Sequence, residues 1–233
     1  MKAKQGLYSP EFEHENCGAG FICSLKGKKS NDIIHKALEI LEKLEHRGAV
    51  SSDGKTGDGA GILIDIPHEF FVAQCEFDLP EERQYAMGNV FLPKKENQRE
   101  YCKEVFEKQI EARGLKLIGW RKVPVNSSFL GDIAAEVEPH IEQIFIGKPD
   151  AEMDERQFQI KLFTARKVTE HIVLESKLSE RTYFYLPSLS TKTLIFKGIL
   201  MPEDIKLYYT DLLDTRVKTR LALVHQRFST NTF

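Results

Sequence analysis

Cys17 is the residue whose type and surroundings best suit covalent chemistry. It stands between a charged leader carrying Glu11, Glu13 and Glu15 and the apolar run Phe21-Ile-Cys-Ser-Leu25, and Gly18-Ala-Gly20 leaves space around it free of side chains. A lone cysteine in an apolar stretch is most often a small buried hydrophobe. If the bond between Asn16 and Cys17 is cut, however, the residue carries both a thiol and a free α-amino group. With reference pKa values of about 8.5 and about 7.7–8.0, the neutral amine can take the thiol proton near neutrality, so one residue serves as nucleophile and base. Cys23, Cys75 and Cys102 are read as core thiols. Four cysteines in 233 residues, with no C-x-x-C pair, fit neither a secreted disulfide scaffold nor a zinc site.

Three further segments offer chemistry. His225-Gln-Arg-Phe-Ser-Thr230 groups an imidazole, a guanidinium and two hydroxyls. Arg227 can grip a carboxylate in bidentate fashion with Thr230 adding a hydroxyl, or the segment is the polar side of an edge strand. Glu45-His46-Arg47-Gly48 places cations where they complement a helix C-terminus. The loop Asp53-Gly-Lys-Thr-Gly-Asp-Gly-Ala-Gly61 imitates phosphate-binding loops and fails both tests. A P-loop needs glycine at 49, where Ala49 stands, and the dinucleotide fingerprint needs glycine at 62, where Ile62 stands. The glycines are better read as permitting positive φ and close backbone approach.

The remaining composition narrows the function. Thirty-three Lys+Arg against 35 Asp+Glu give a net charge of −2, without the basic excess of a nucleic-acid binder. Hydrophobic residues at 41% supply a core, and every apolar run is interrupted well short of the ~20 residues a membrane span needs. The acidic leader argues against a transit peptide, so a cytoplasmic location is expected. The seven histidines show no metal-ligand spacing.

These residues need a scaffold, and the periodicity outlines one. Strands are expected at 17–25, 62–66, 86–92, 115–125, 142–147, 182–186, 193–198 and 221–228. A helix capped by Asn31 or Asp32 runs to Gly48 with Ile33, Ile34, Ala37, Leu38 and Leu41 on its apolar stripe. Further helices are expected at 98–113, 154–176 and 202–213. Long helices among antiparallel-looking strands indicate an α+β fold. The close at Ser229-Thr-Asn-Thr-Phe233, one turn past a strand, reads as a cut.

Taken in order, Glu15-Asn-Cys-Gly-Ala-Gly-Phe21, Leu44-Glu-His-Arg-Gly-Ala49, Asp53 to Gly61 and His225-Gln-Arg-Phe-Ser-Thr-Asn-Thr232 resemble the start of the glutamate synthase large subunits. Their glutaminase domain is a class II glutamine amidotransferase of the N-terminal-nucleophile (Ntn) hydrolase type. The resemblance implies a four-layer αββα sandwich, here incomplete at the C-terminus, with residues 1–16 a propeptide and 17–233 the N-terminal part of the amidotransferase domain. It implies that Cys17 attacks the side-chain amide of glutamine, that a glutamyl thioester forms, and that ammonia leaves to aminate 2-oxoglutarate elsewhere in the full enzyme. Arg227 matches the arginine that binds the substrate α-carboxylate, Thr230 a neighbouring substrate contact, and Arg47 an arginine beside the nucleophile.

By the same resemblance FMN and an iron–sulfur cluster belong to the full-length enzyme and none to this chain. Expected partners are glutamine, the remaining synthase region and a small electron-transfer subunit. The family's oxyanion Asn-Gly pair and amine-binding acid come after the last residue here, and Asn231 is followed by Thr232 rather than glycine. Loss of one oxyanion donor costs about 10²–10³ in rate, so a weakly active or inactive piece is expected. The alternative is a non-catalytic binding or assembly module on the same fold.

Overall fold

The computed structural model describes residues 18–150 and 152–226. In chain order the elements are β1 (Gly18–Cys23), α1 (Asp32–Lys43), β2 (Ala60–Asp65), α2 (His68–Gln74), β3 (Tyr85–Leu92), α3 (Glu96–Glu111) and β4 (Lys116–Lys122). They continue with α4 (Asp132–Glu136), β5 (His140–Gly147), α5 (Glu155–Glu175), β6 (Thr193–Gly198), α6 (Asp204–Tyr208) and β7 (Leu221–Gln226). Two antiparallel sheets result, one ordered β1-β7-β2-β6 and one β3-β5-β4. The protein is a mixed α+β fold.

The first sheet is built of cross-strand rows that alternate between its faces. Gly20, Val224, Ile62 and Phe196 form one row and Ile22, Ala222, Ile64 and Leu194 another, on the face covered by α1. Between them, on the opposite face, lies the row Phe21, Leu223, Leu63 and Ile195. That row is apolar yet open: Phe21 is 75% and Leu223 46% exposed. The sheet's far end is fixed by Asp65, whose carboxylate accepts from Arg220 Nη2 at 2.9 Å, from the Arg220 amide at 2.7 Å and from Thr219 Oγ1 at 3.2 Å.

The second sheet is buried on both faces, which is why β3 reads as a nearly continuous apolar run. Ala86, Val90, Ile144 and Ile146 pack against Phe106 of α3 and Phe158 and Leu162 of α5. Tyr85, Met87 and Phe145 turn the other way and meet Phe70 and Phe71 of α2 in the core shared with the first sheet. Asn89 ties the sheets together by donating to the Ile195 carbonyl at 2.8 Å. A bidentate pair between Arg121 and Asp211, both distances 2.8 Å, is buried beside them.

Several expectations are corrected. Residues 182–186 form no strand: Arg181–Tyr183 is a 3₁₀ turn, and only Tyr185 bridges Phe91, because Pro187 cannot donate to a ladder. The helix expected at 202–213 is the short α6 followed by a 3₁₀ turn at Thr210–Leu213. The chain leaves the helix at Tyr209, which is buried with its hydroxyl on the Lys197 carbonyl at 2.7 Å. Asn31 does not cap α1 through a side-chain acceptor; its Nδ2 donates to the Val217 carbonyl at 2.8 Å. Cys23 is exposed rather than a core thiol, because alternation on β1 turns it outward with Phe21. The unexpected helix α2 carries an aromatic doublet without helical period.

Candidate functional site

The glycines after position 17 let a helix end descend onto β1. A Cβ at Gly20 would stand 2.6 Å from Ile40 Cγ2, and one at Gly18 would stand 3.1 Å from Arg47 Cβ and 3.2 Å from Leu44 Cδ2. Helix α1 ends at Lys43 and the chain tightens into a 3₁₀ turn at Glu45–Arg47, with the Arg47 amide donating to the Leu44 carbonyl at 2.8 Å. His46 Nδ1 lies 3.0 Å from the Lys43 carbonyl, so the imidazole packs against the helix end. Arg47 itself is exposed and lies over Gly18.

Strand β7 lies between β1 and β2, so His225 and Gln226 stand on an inner strand and not on the sheet edge that a purely polar reading suggests. Gln226 pairs with Gly18 on one side and with Ala60 on the other. Its side chain is 1% exposed. A Cβ at Gly48 would fall 2.0 Å from Gln226 Nε2 and 3.2 Å from Asp58 Oδ1, so the glycine after Arg47 leaves room for the Gln226 amide.

The glycine loop is a closed hairpin. The Ser51 amide donates to the Thr56 carbonyl at 2.8 Å and the Asp58 amide to the Ala49 carbonyl at 3.1 Å. Gly54 and Gly59 have positive φ, +69° and +125°. A Cβ at Gly57 would stand 2.3 Å from the Leu200 carbonyl oxygen, so the close neighbour of this loop is the chain after β6. Asp53 pins the tip, accepting from Thr56 Oγ1 at 2.5 Å, the Thr56 amide at 2.8 Å, the Lys55 amide at 3.0 Å and the Ile133 amide of α4 at 3.2 Å. The Thr56 hydroxyl and these amides hold its carboxyl far below the usual range.

Of the residues singled out in the sequence, Arg47 is described, whereas Cys17, Arg227 and Thr230 lie outside the described residues. Their chain neighbours are brought together: Gly18 beside Arg47 and paired with Gln226. Gln226 and Gly48 were not legible as site elements, since a Gly after a helix reads as a stop and a Gln in a strand as polar filler.

A family model of the class-II glutamine amidotransferases matches residues 17–233. This chain belongs to that family. It is 43% identical over its whole length to the NADPH glutamate synthase large chain of Bacillus subtilis and 42% identical over 99% of its length to the NADH glutamate synthase of Saccharomyces cerevisiae. It is 36% identical over 94% of its length to the ferredoxin-dependent glutamate synthase 2 of Synechocystis. The chain spans only 15%, 11% and 14% of these relatives.

Elsewhere in this class-II amidotransferase a cavity of about 400 Å³ is walled by Phe91, Ile141, Tyr183, Tyr185 and Tyr208. Glu138 and Lys197 also line it, and Arg47, the described residue among those singled out in the sequence, does not: it lies at the Gly18 end of the first sheet. No helix among the described residues is long and apolar enough to cross a membrane.

Proposed function

We propose that residues 17–233 are the glutaminase domain of a glutamate synthase large subunit and that Cys17, freed by removal of residues 1–16, is its nucleophile. In this reading the Cys17 amine takes the thiol proton and the thiolate adds to the carboxamide carbon of glutamine. The C–N bond breaks as the departing nitrogen receives that proton, releasing ammonia and leaving a γ-glutamyl thioester that water hydrolyses to glutamate. Arg227 grips the substrate α-carboxylate, Thr230 adds a hydroxyl and Arg47 flanks the nucleophile. The observation that carries the reading is that the family match begins at Cys17 and that Gly18, its chain neighbour, lies under Arg47 and beside Gln226, the chain neighbour of Arg227.

Ammonia released here aminates 2-oxoglutarate in the synthase part of the longer polypeptide, together with its electron-transfer partner. The relatives are named glutamate synthases, and resemblance to them implies FMN and an iron–sulfur cluster for the full-length enzyme. FMN and the cluster are assigned to that other part. Relatives at 36–43% identity over this domain are named for NADPH, NADH and ferredoxin, which supports an electron-donor choice made in another part of the enzyme. The open apolar row Phe21-Leu223-Leu63-Ile195 supports a second inner sheet covering this face, as the four-layer αββα sandwich requires.

Intact mass and N-terminal sequencing, followed by labelling with 6-diazo-5-oxo-norleucine, test the proposal. A chain that begins at Cys17 and carries one adduct there supports it. Retention of Met1 or Lys2, with Cys17 labelled no faster than Cys75 or Cys102, would refute it in favour of a non-catalytic module.

A further inference from the structure

The geometry points to Gln226 as a positioning residue for the glutamine site, acting as a wedge that sets Arg47; the inference rests on the glutaminase reading above. Gln226 on β7 is paired with Gly18 of β1 on one side and with Ala60, in the glycine loop, on the other. Its carboxamide is buried and enters the space under the turn that follows Arg47, where a Cβ at Gly48 would stand 2.0 Å from Nε2 and 3.0 Å from Cδ. Gly48 has φ −99° and ψ 178°, a conformation open to any residue, so its lack of a side chain is required by space and not by backbone shape.

The amide is not there for its hydrogen bonds alone. Gln226 Oε1 is inaccessible to solvent and has no hydrogen-bond partner among the described residues. A buried acceptor in that state lowers stability, so a side chain selected only for the core would be apolar. What the carboxamide supplies is length and shape: it reaches from the β1–β7–β2 junction to the backbone of the Arg47 turn and keeps that turn standing over Gly18. The wedge therefore links the neighbour of the nucleophile, the arginine beside it, and the neighbour of the carboxylate-binding arginine.

Saturation kinetics of Cys17 labelling by 6-diazo-5-oxo-norleucine in the full chain separate binding (KI) from the covalent step (kinact). Gln226→Ala removes the wedge and Gly48→Ala expels it, and each is expected to raise KI on the order of tenfold or more, as small misplacements of binding groups do. Gln226→Met, similar in length and apolar, is expected to keep KI near wild type and to be no less stable. In the double variant the alanine at 48 meets no amide, so KI should be no worse than in Gln226→Ala alone. A merely structural defect would lower the fraction labelled and the melting temperature while leaving KI unchanged. Should the alanine variant not fold, Gln226→Asn shortens the wedge by one methylene and gives the same reading.

Unchanged KI in Gln226→Ala and Gly48→Ala overturns the inference, as does a Gln226→Met variant as impaired as Gln226→Ala. Failure of wild-type Cys17 to label refutes the glutaminase reading itself, and the positioning role falls with it. Labelled wild type with indifferent variants refutes the positioning role alone.

Discussion

Gly18 and Arg47 occupy complementary space: the backbone of β1 passes so close beneath the arginine that a methyl at position 18 would stand 3.1 Å from Arg47 Cβ. The glycine next to the nucleophile candidate is thereby explained without appeal to backbone freedom. Gly18→Val is expected to push Arg47 and Leu44 aside. It should slow labelling of Cys17 by on the order of tenfold to a hundredfold, the scale of an ångström-sized misplacement. A crystal structure of the variant with Arg47 unmoved, or unaltered labelling, would contradict this account.

The Asp65–Arg220 pair should govern acid stability. Burial pushes the Asp65 carboxyl up, but hydrogen bonds from Arg220 and Thr219 outweigh it and leave its pKa below the ordinary value. A depressed folded-state pKa contributes stability that is fully present above the unfolded value of about 3.9 and fades as pH falls through the folded one. The urea midpoint of the wild type should therefore drop steeply below about pH 4. Asp65→Asn should lose about 2–4 kcal/mol at neutral pH, toward the lower side of a fully buried pair because Arg220 is partly exposed, and should show a shallower acid limb.

Thiol reactivity distinguishes the described cysteines. Burial pushes Cys102 up to about 12 and Cys75 up to about 11, leaving almost no thiolate at pH 7.5. Iodoacetamide mapping of the native protein should find Cys23 modified first, Cys75 slowly and Cys102 only after unfolding. Rapid native modification of Cys102 would contradict the packing of α3 on the second sheet.

Asp53 should control the glycine loop locally. Asp53→Asn halves its capacity to accept from Thr56, Lys55 and Ile133, so the amides of these three residues should exchange hydrogen faster. Amides of β2 should keep their protection. A global loss of protection would show that the loop belongs to the folding core.

The sequence made the helices α1, α3 and α5 legible because each repeats apolar residues at helical spacing, as Ile34, Leu38 and Leu41 do in α1. Strands β2, β3, β5 and β7 were legible from their short apolar runs. What escaped reading depended on distant partners: α2 exists because Phe70 and Phe71 find Phe145, and Asn31 serves as a donor because residues 214–217 come to meet it. At the candidate site, Arg47 could be picked out by its motif, whereas Gln226 and Gly48 acquire meaning only when the fold brings them together across 177 intervening residues. Cys23 reads as a core thiol in one dimension because the sequence does not tell which face of β1 is covered; alternation puts it on the open face with Phe21.

The pairing of β1 with β7 also has a consequence in time. Among the described residues β1 pairs with no other strand, and about 200 residues separate the two partners along the chain. At a synthesis rate of about 5–20 residues per second, the strand next to Cys17 waits roughly 10–40 s for its partner to leave the ribosome. During that interval Phe21 and its apolar neighbours have no ladder to join. Of the strands in this sheet, β1 is synthesised first and completes its pairing only when β7 has emerged.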